Sequence, residues 1–130
     1  MKRDIKFRVW NTHEKKWETQ IAHKKVLIAI DGTVFIGNIG VSYSGSSNVT
    51  PDRYIIQQYT GLKDKNGIEI YKGDIFKGSD YKWDAVEFEN GKFIVNLRGA
   101  RVYDLCELYD ENWNIPTVIG NIFENEELLK

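Results

Sequence analysis

Three turn dipeptides between short runs of strand-forming residues constrain the fold of this chain most strongly. They are Asp31-Gly32, Asn66-Gly67 and Asn90-Gly91. Glycine and asparagine tolerate the positive φ that a tight reversal needs, so the first and last of these predict β-hairpins and the middle one a turn. No stretch keeps the 3.6-residue apolar spacing of an amphipathic helix. We therefore expect a mainly β protein, built as a barrel or a roll.

The first strand shows a period of two. Ile5, Phe7 and Val9 alternate with Lys6, Arg8 and Trp10, so the latter three are expected on the outward face of a half-buried strand. The polar residues 11–16 predict a turn that leads to Trp17. The remaining strands are predicted at residues 26–30, 33–36, 54–59, 68–70, 74–77, 83–89, 92–97 and 118–123. Asn125 is expected to cap a short C-terminal helical turn.

Residues 40–52, GVSYSGSSNVTPD, are rich in glycine and serine and have no periodicity. Such a segment predicts a long loop. It divides the chain into a β-rich N-terminal region, residues 1–52, and a C-terminal region, residues 53–130.

The charge is distributed unevenly, although the net charge is only −1. Residues 1–30 carry eight Lys/Arg and three Asp/Glu, whereas residues 101–130 carry two and seven. The favoured interpretation is attraction between the two ends, within one chain or between protomers, and the second case suits a homo-oligomer. A basic face for an acidic partner or a nucleic acid is the alternative.

The chain has one cysteine, Cys106, so an internal disulfide and a cysteine-based zinc site are excluded. Its neighbours Leu105 and Leu108 favour a small buried thiol. The charged, alternating N-terminus is unlike a signal peptide, and the longest apolar run is too short for a membrane span. A cytoplasmic protein without membrane association is expected.

The most distinctive segment, residues 58–75, reads QYTGLKDKNGIEIYKGDI. It closely resembles the signature of the YopX family, small proteins encoded by phages and prophages of bacteria. IKFRVW at residues 5–10 is similar to the opening strand of that family, and VIGNIFENEELL at residues 118–129 to its closing segment. The resemblance implies a C-terminal SH3-like barrel over residues 53–130, an uncharacterised function and the cytoplasm of a bacterial host. It brings no active-site residues with it.

The central segment has a structural explanation in its own residues. Thr60-Gly61 is expected to end the strand at residues 54–59, and Asp64 to accept hydrogen bonds from the turn at Asn66-Gly67. Ile68 and Ile70 would face a core while Glu69 faces water. A second turn at residues 71–74 contains Tyr71, Gly73 and Asp74. The alternative is a binding surface made by Tyr59, Asp64, Tyr71 and Asp74.

No catalytic or cofactor site is predicted. His13 and His23 lack a metal-ligand spacing even with Glu14 between them, and Ser42, Ser44, Ser46 and Ser47 have no evident histidine partner. Asp64, Glu69 and Asp74 remain as a nuclease-like acidic cluster that would hold a divalent cation, but no general base is evident beside them. We therefore do not expect an enzyme.

The favoured function is a non-catalytic binding module, a phage- or prophage-derived accessory protein that acts through contacts with itself, a phage protein or a host protein. Four tryptophans and seven tyrosines supply residues that are frequent interface anchors. The alternative is nucleic-acid binding by Lys6, Arg8, Trp10 and Trp17, which combine positive charge with stacking surface.

Overall fold

The fold is mainly β, as predicted from the sequence. A computed structural model describes residues 4–18, 24–28, 30, 34–38, 54–77, 83–98, 101–109 and 116–129, with the backbone alone at 24–28 and 34–38. Within these ranges the strands are β1 Phe7–Asn11, β2 Lys16–Glu18, β3 Lys24–Ile28, β4 Val34–Asn38, β5 Tyr54–Lys63, β6 Glu69–Tyr71, β7 Asp74–Phe76, β8 Glu87–Glu89, β9 Lys92–Leu97, β10 Arg101–Asp104 and β11 Val118–Asn121. Short 3₁₀ helices span Leu105–Tyr109 and Glu126–Leu129.

The chain forms two compact units. The smaller unit is Phe7–Gln57, and the larger unit combines Met1–Lys6 with Gln58–Lys130. The loop expected at residues 40–52 lies outside the described residues. Strand β5 starts in the smaller unit and ends in the larger one.

In the smaller unit β1 lies between β2 and the first part of β5. Strands β1 and β2 are antiparallel, with Trp10 opposite Trp17. Asn11 at the end of β1 organises the turn between them. It is buried, and its side-chain oxygen accepts hydrogen bonds from the backbone N–H groups of His13 (3.0 Å) and Glu14 (2.9 Å). The expected polar turn before Trp17 is confirmed.

Strands β3 and β4 form an antiparallel pair with Ile28 opposite Val34. The pairing of two strands around Asp31-Gly32 is confirmed, but the expected two-residue turn is not: β3 ends at Ile28 and not at Ile30, and five residues separate the paired positions Ile28 and Val34. Residues 31–33 lie outside the described residues.

In the larger unit β5 pairs with β6, and the register shifts between Tyr59 and Lys63. Gly61 lies in this irregular stretch with φ of 88°, a conformation that is easy only for glycine. The expectation that Thr60-Gly61 ends the strand was wrong, because the chain absorbs the positive φ as a bulge and continues to Lys63.

The other strands of the larger unit form two smaller sheets. Strand β9 lies between β8 and β10, and β7 pairs with β11. The hairpin of β8 and β9 turns at Asn90 (φ 52°) and Gly91 (φ 80°), and Glu89 pairs with Lys92. Both central residues have positive φ, as a type I′ turn requires, so the predicted hairpin is confirmed.

The core of the larger unit is aliphatic and aromatic. Its buried members are Ile70, Phe76, Val86, Val95, Leu105 and Leu108. Burial of one such side chain stabilises the folded state by roughly 1.5–3 kcal/mol. Ile70 faces this core as expected, but the expectation for Ile68 was wrong, since it is exposed beside the turn at Gly67.

The expected helical turn at the C-terminal end is confirmed as the 3₁₀ helix Glu126–Leu129. The side-chain oxygen of Asn125 does not cap it. That oxygen accepts from the backbone N–H of Asn121 (3.2 Å), while the main-chain carbonyl of Asn125 accepts from Leu128 (3.0 Å).

Candidate functional site

An aromatic groove of about 410 Å³ opens in the larger unit. One side is the second half of β5, and the other is the hairpin of β8 and β9 with the start of the first 3₁₀ helix. The lining residues are Gln58, Thr60, Leu62, Phe88, Gly91, Lys92, Phe93, Asp104, Leu105 and Cys106. This volume lies in the range of protein pockets that hold ligands.

Phe88 contributes an exposed aromatic ring to the groove. It stands opposite Phe93 across the hairpin, and the two rings pack edge to face with centroids 4.9 Å apart. The side chain of Phe88 is nevertheless 47% exposed. An exposed aromatic ring beside a groove is a frequent anchor for a binding partner.

Charged groups border the same groove. Lys92 Nζ lies 2.8 Å from a carboxylate oxygen of Asp104. The hydrogen bond to Asp104, followed by the charge of the same carboxylate, raises the pKa of Lys92. Lys92 therefore carries a positive charge over the whole physiological pH range.

Cys106 also lines the groove and is exposed. The prediction of a buried thiol was wrong. Residues 105–109 form a 3₁₀ helix in which Leu105 and Leu108, three positions apart, face the core. With three residues per turn, the position after Leu105 points away from that core.

In the smaller unit, the residues predicted to bind a partner contact one another. The Arg8 guanidinium lies over the Trp17 ring, 4.4 Å from its centroid. Its Nε and Nη2 also donate to the buried side-chain oxygen of Gln57, at 3.0 and 2.7 Å. Trp10 packs edge to face on Trp17, with centroids 4.9 Å apart.

The outward orientation predicted for Trp10 was wrong. Its exposed fraction is 5%, whereas Phe7, predicted to face inward, is 44% exposed. The last three residues of β1, Val9, Trp10 and Asn11, are all buried, and because successive side chains of a strand point to opposite faces, both faces of β1 are covered at this end. Simple alternation fails when both faces of a strand are covered.

Lys6 belongs to the larger unit. Its ammonium group lies 2.8 Å from a carboxylate oxygen of Glu69 and 5.5 Å from the ring centroid of Tyr59. The hydrogen bond to Glu69 raises the pKa of Lys6. This cation is therefore engaged within its own unit.

Asp64, the central residue of the distinctive segment, bonds to the backbone on two sides. Its Oδ1 accepts from the N–H groups of Asn66 (2.8 Å) and Ile68 (2.9 Å), and its Oδ2 accepts from Val118 (3.0 Å). Burial alone would raise the pKa of this carboxyl, but the three N–H donors lower it on balance. The expected bonds to the turn are confirmed, and the bond to β11 is an addition that sequence reasoning missed.

The remaining polar residues of that segment have structural contacts too. Asp74 is buried, and its Oδ2 accepts from the backbone N–H of Tyr71 (2.8 Å). Tyr59 is buried with its ring 5.4 Å from that of Tyr71. Gly67 and Gly73 have φ of 81° and 89°. A surface made by Tyr59, Asp64, Tyr71 and Asp74 is contradicted by the burial of three of the four.

Another hydrogen bond between distant parts of the chain lies close to Asp64. The hydroxyl of Tyr109 donates to the main-chain carbonyl of Lys63. Burial, followed by the negative charge of Asp64, raises the pKa of Tyr109 to about 12.

Among the described residues, no group of three or more His, Cys, Asp and Glu side chains is placed to hold a metal ion. Asp64 and Asp74 bind backbone N–H groups and Glu69 pairs with Lys6, so the carboxylates of the nuclease-like cluster have other partners. His23 and the serines at residues 42–47 lie outside the described residues.

Comparison with known proteins identifies the lineage. The family description "YopX protein" matches residues 6–130. The chain belongs to the YopX family. No curated protein matches it.

Within the described residues, no helix has the length and apolar character that crossing a bilayer requires.

Two solved structures are similar over almost the whole chain. The crystal structure of protein EF1440 from Enterococcus faecalis has a TM-score of 0.60 and 27% identity, covering 99% of this chain and 100% of that one. The X-ray crystal structure of protein yopX from Bacillus subtilis has a TM-score of 0.63 and 19% identity, covering 99% and 98%. At this level of identity the second likeness shows the YopX fold alone.

Proposed function

We propose that this YopX-family protein is a non-catalytic binding module that acts through protein contacts, and that the aromatic groove is its binding surface. The observation that carries the proposal is Phe88, a large apolar side chain that is 47% exposed beside a groove of about 410 Å³. Burying this ring against a partner removes apolar area from water, which favours association. The phage or prophage origin rests on the family resemblance, and the cytoplasmic location also rests on the charged N-terminus and the short apolar runs of the sequence.

The residues that line the groove suit contact with a protein partner. Gln58 offers a polar side chain along β5, while Phe88 and Leu62 offer apolar surface; Thr60 is buried, and its hydroxyl oxygen accepts from the N–H of Leu62 (3.2 Å). A few polar groups around an apolar centre are typical of protein interfaces. We expect an apolar side chain of the partner to insert beside Phe88.

Nucleic-acid binding is the second candidate, and the structure favours it less. Trp10 is buried, and Arg8 is stacked on Trp17 and bonded to Gln57, so their stacking and hydrogen-bonding groups are occupied within the chain. A nucleic acid would need stacking surface and cations on one accessible face.

Replacement of Phe88 by alanine tests whether the groove binds a protein. Affinity capture from the bacterial host, performed with and without nuclease, is expected to return a partner that Phe88→Ala no longer captures. Ile68→Ala is the matched control, since it removes an apolar side chain that is also exposed in the larger unit but lies outside the groove. Retention of the partner by Phe88→Ala, or its loss after nuclease treatment alone, would contradict a protein-binding groove.

Cys106 provides an independent readout. It is the single cysteine of the chain and lines the groove, so its alkylation can be followed by mass spectrometry without competing sites. A partner bound at Phe88 is expected to slow this alkylation. Unchanged alkylation in the complex would place the partner elsewhere.

A further inference from the structure

The outer edge of β8 carries backbone groups beside the aromatic groove. In the two-residue turn at Asn90 and Gly91, the flanking pair Glu89 and Lys92 is the hydrogen-bonded pair that closes the turn. Hydrogen-bonded and non-hydrogen-bonded pairs alternate along an antiparallel ladder. Phe88 and Phe93 are therefore a non-hydrogen-bonded pair, and the N–H and C=O of Phe88 point away from β9.

The chain itself uses this edge two residues earlier. The N–H of Val86 donates to the carbonyl of Asp74 (2.9 Å), and the carbonyl of Val86 accepts from the N–H of Gly73 (2.7 Å). Val86 and Phe88 have the same orientation in the pleat. Within the described part of the chain, β8 is one of the two edge strands of its sheet, the other being β10. The backbone of Phe88 therefore lies on the same edge as the backbone groups of Val86, which are bonded to Asp74 and Gly73.

The side chains beside this edge divide by face. Phe88 faces the aromatic groove, whereas the neighbouring Glu87 and Glu89 are exposed and line a second depression of about 420 Å³ on the other side of the hairpin. Ile94 and Val102 contribute apolar surface to that depression. The methylenes of a lysine or arginine can lie on such surface while the charged end reaches a carboxylate.

We propose that the edge of β8 binds an extended peptide segment of a partner protein, in which an apolar residue is flanked by basic residues, by adding it to the sheet as a strand. This rests on the proposed function of the groove and specifies its occupant. The apolar side chain lies against Phe88. The flanking basic side chains lie beside Glu87 and Glu89, where opposite charges stabilise cross-strand neighbours.

The charges of Glu87 and Glu89 also disfavour pairing of β8 with the β8 strand of a second copy of the chain. Two β8 strands paired antiparallel about Phe88 would place Glu87 of one copy opposite Glu89 of the other. Like charges directly opposite each other destabilise a strand pair. Charged residues on an exposed edge are a common protection against self-pairing.

The test uses the full chain and synthetic peptides of alternating lysine and valine as probes. Fluorescence polarisation is expected to show saturable binding, with slower exchange of the Phe88 amide hydrogen. A peptide N-methylated at its central valine keeps every side chain but loses one backbone donor, and we expect it to bind at least about tenfold more weakly. A peptide of alternating glutamate and valine is expected to bind more weakly still.

Two double variants of the protein test whether the charges of Glu87 and Glu89 select the peptide. Glu87→Lys with Glu89→Lys is expected to reverse the preference, so that the glutamate peptide binds more tightly than the lysine peptide. Glu126→Lys with Glu127→Lys makes the same change of net charge at two exposed positions of the C-terminal 3₁₀ helix, and we expect it to keep the preference of the unmodified protein.

Three results would overturn strand addition at β8. They are equal binding of the N-methylated and unmethylated peptides, no saturable binding of the lysine peptide, and an unchanged preference after reversal at Glu87 and Glu89. The groove can be judged separately. If Phe88→Ala still abolishes capture of the partner, the groove is the binding surface but takes its partner in another way.

Discussion

At the scale of single residues, Asp64 has the clearest structural role. Its carboxylate holds the turn at Asn66 and, through Val118, the start of β11, which is 54 residues away in the chain. Hydrogen bonds to a charged acceptor stabilise a fold more than neutral ones. Removal of the carboxylate would leave backbone N–H groups without their acceptor in a buried place.

Asp64→Asn is therefore expected to lower the free energy of unfolding by about 2 kcal/mol at neutral pH, because the amide NH₂ cannot accept from the N–H of Val118. Urea unfolding measures the change. Glu107→Gln is the control, since Glu107 forms an exposed ion pair with Arg101 and should cost less than about 1 kcal/mol.

The pH dependence of this effect has a defined sign. Asp64 has its pKa lowered below the ordinary value of 3.8 in the folded protein. Its contribution is thus fully present above the unfolded pKa and is lost as the pH falls through the folded pKa. The difference between the parent protein and Asp64→Asn should shrink in that acidic range; a constant difference would contradict the assignment.

At the scale of elements, two asparagines perform the same task at the ends of two strands. The side-chain oxygens of Asn11 and Asn121 each accept from the backbone N–H groups two and three residues later. The amide nitrogens donate to Glu18 and Glu124. Both asparagines are buried, so each satisfies its polar groups while turning the chain.

Gly120 allows the second of these turns to form. A Cβ at this position would lie 2.4 Å from the side-chain oxygen of Asn125 and 2.8 Å from its Cβ. Gly120→Ala is expected to lower the free energy of unfolding by about 1–3 kcal/mol, measured by urea unfolding. The physical reason is that Asn125 must move away and lose its bond to Asn121.

A double variant separates the clash from other effects. Asn125→Gly removes the atoms in the way, so Gly120→Ala combined with Asn125→Gly should be more stable than the sum of the two single losses predicts. If the stability losses of the two single variants simply add in the double variant, the clash with Asn125 is not the cause of the loss in Gly120→Ala.

At the scale of the whole molecule, the uneven charge predicts self-association. The excess of basic residues in the first thirty and of acidic residues in the last thirty favours contact between the ends of different copies. Light scattering at roughly tens of micromolar should give a mass above the 15.1 kDa of one chain.

This self-association should weaken in high salt, because exposed charges are screened. A mass of 15.1 kDa in low salt would contradict the homo-oligomer. That result would leave the groove untouched, since Phe88 and the edge of β8 belong to one chain.

The sequence by itself determined the local features of this protein. The turns at Asn66-Gly67 and Asn90-Gly91, the hairpin of β3 and β4 and the bonds from Asp64 to its own turn were all predictable, because they depend on residues a few positions apart. The distinctive segment also indicated the YopX family, which the family comparison confirmed.

Tertiary structure alone decided which side chains face water. Trp10 became buried because both faces of β1 are covered at its end, and Cys106 became exposed because a 3₁₀ helix faces the core with Leu105 and Leu108. The bond from Asp64 to Val118 and the groove beside Phe88 join parts of the chain that are distant in sequence. A local pattern records which residues favour a strand, whereas burial depends on what the remainder of the chain packs against it.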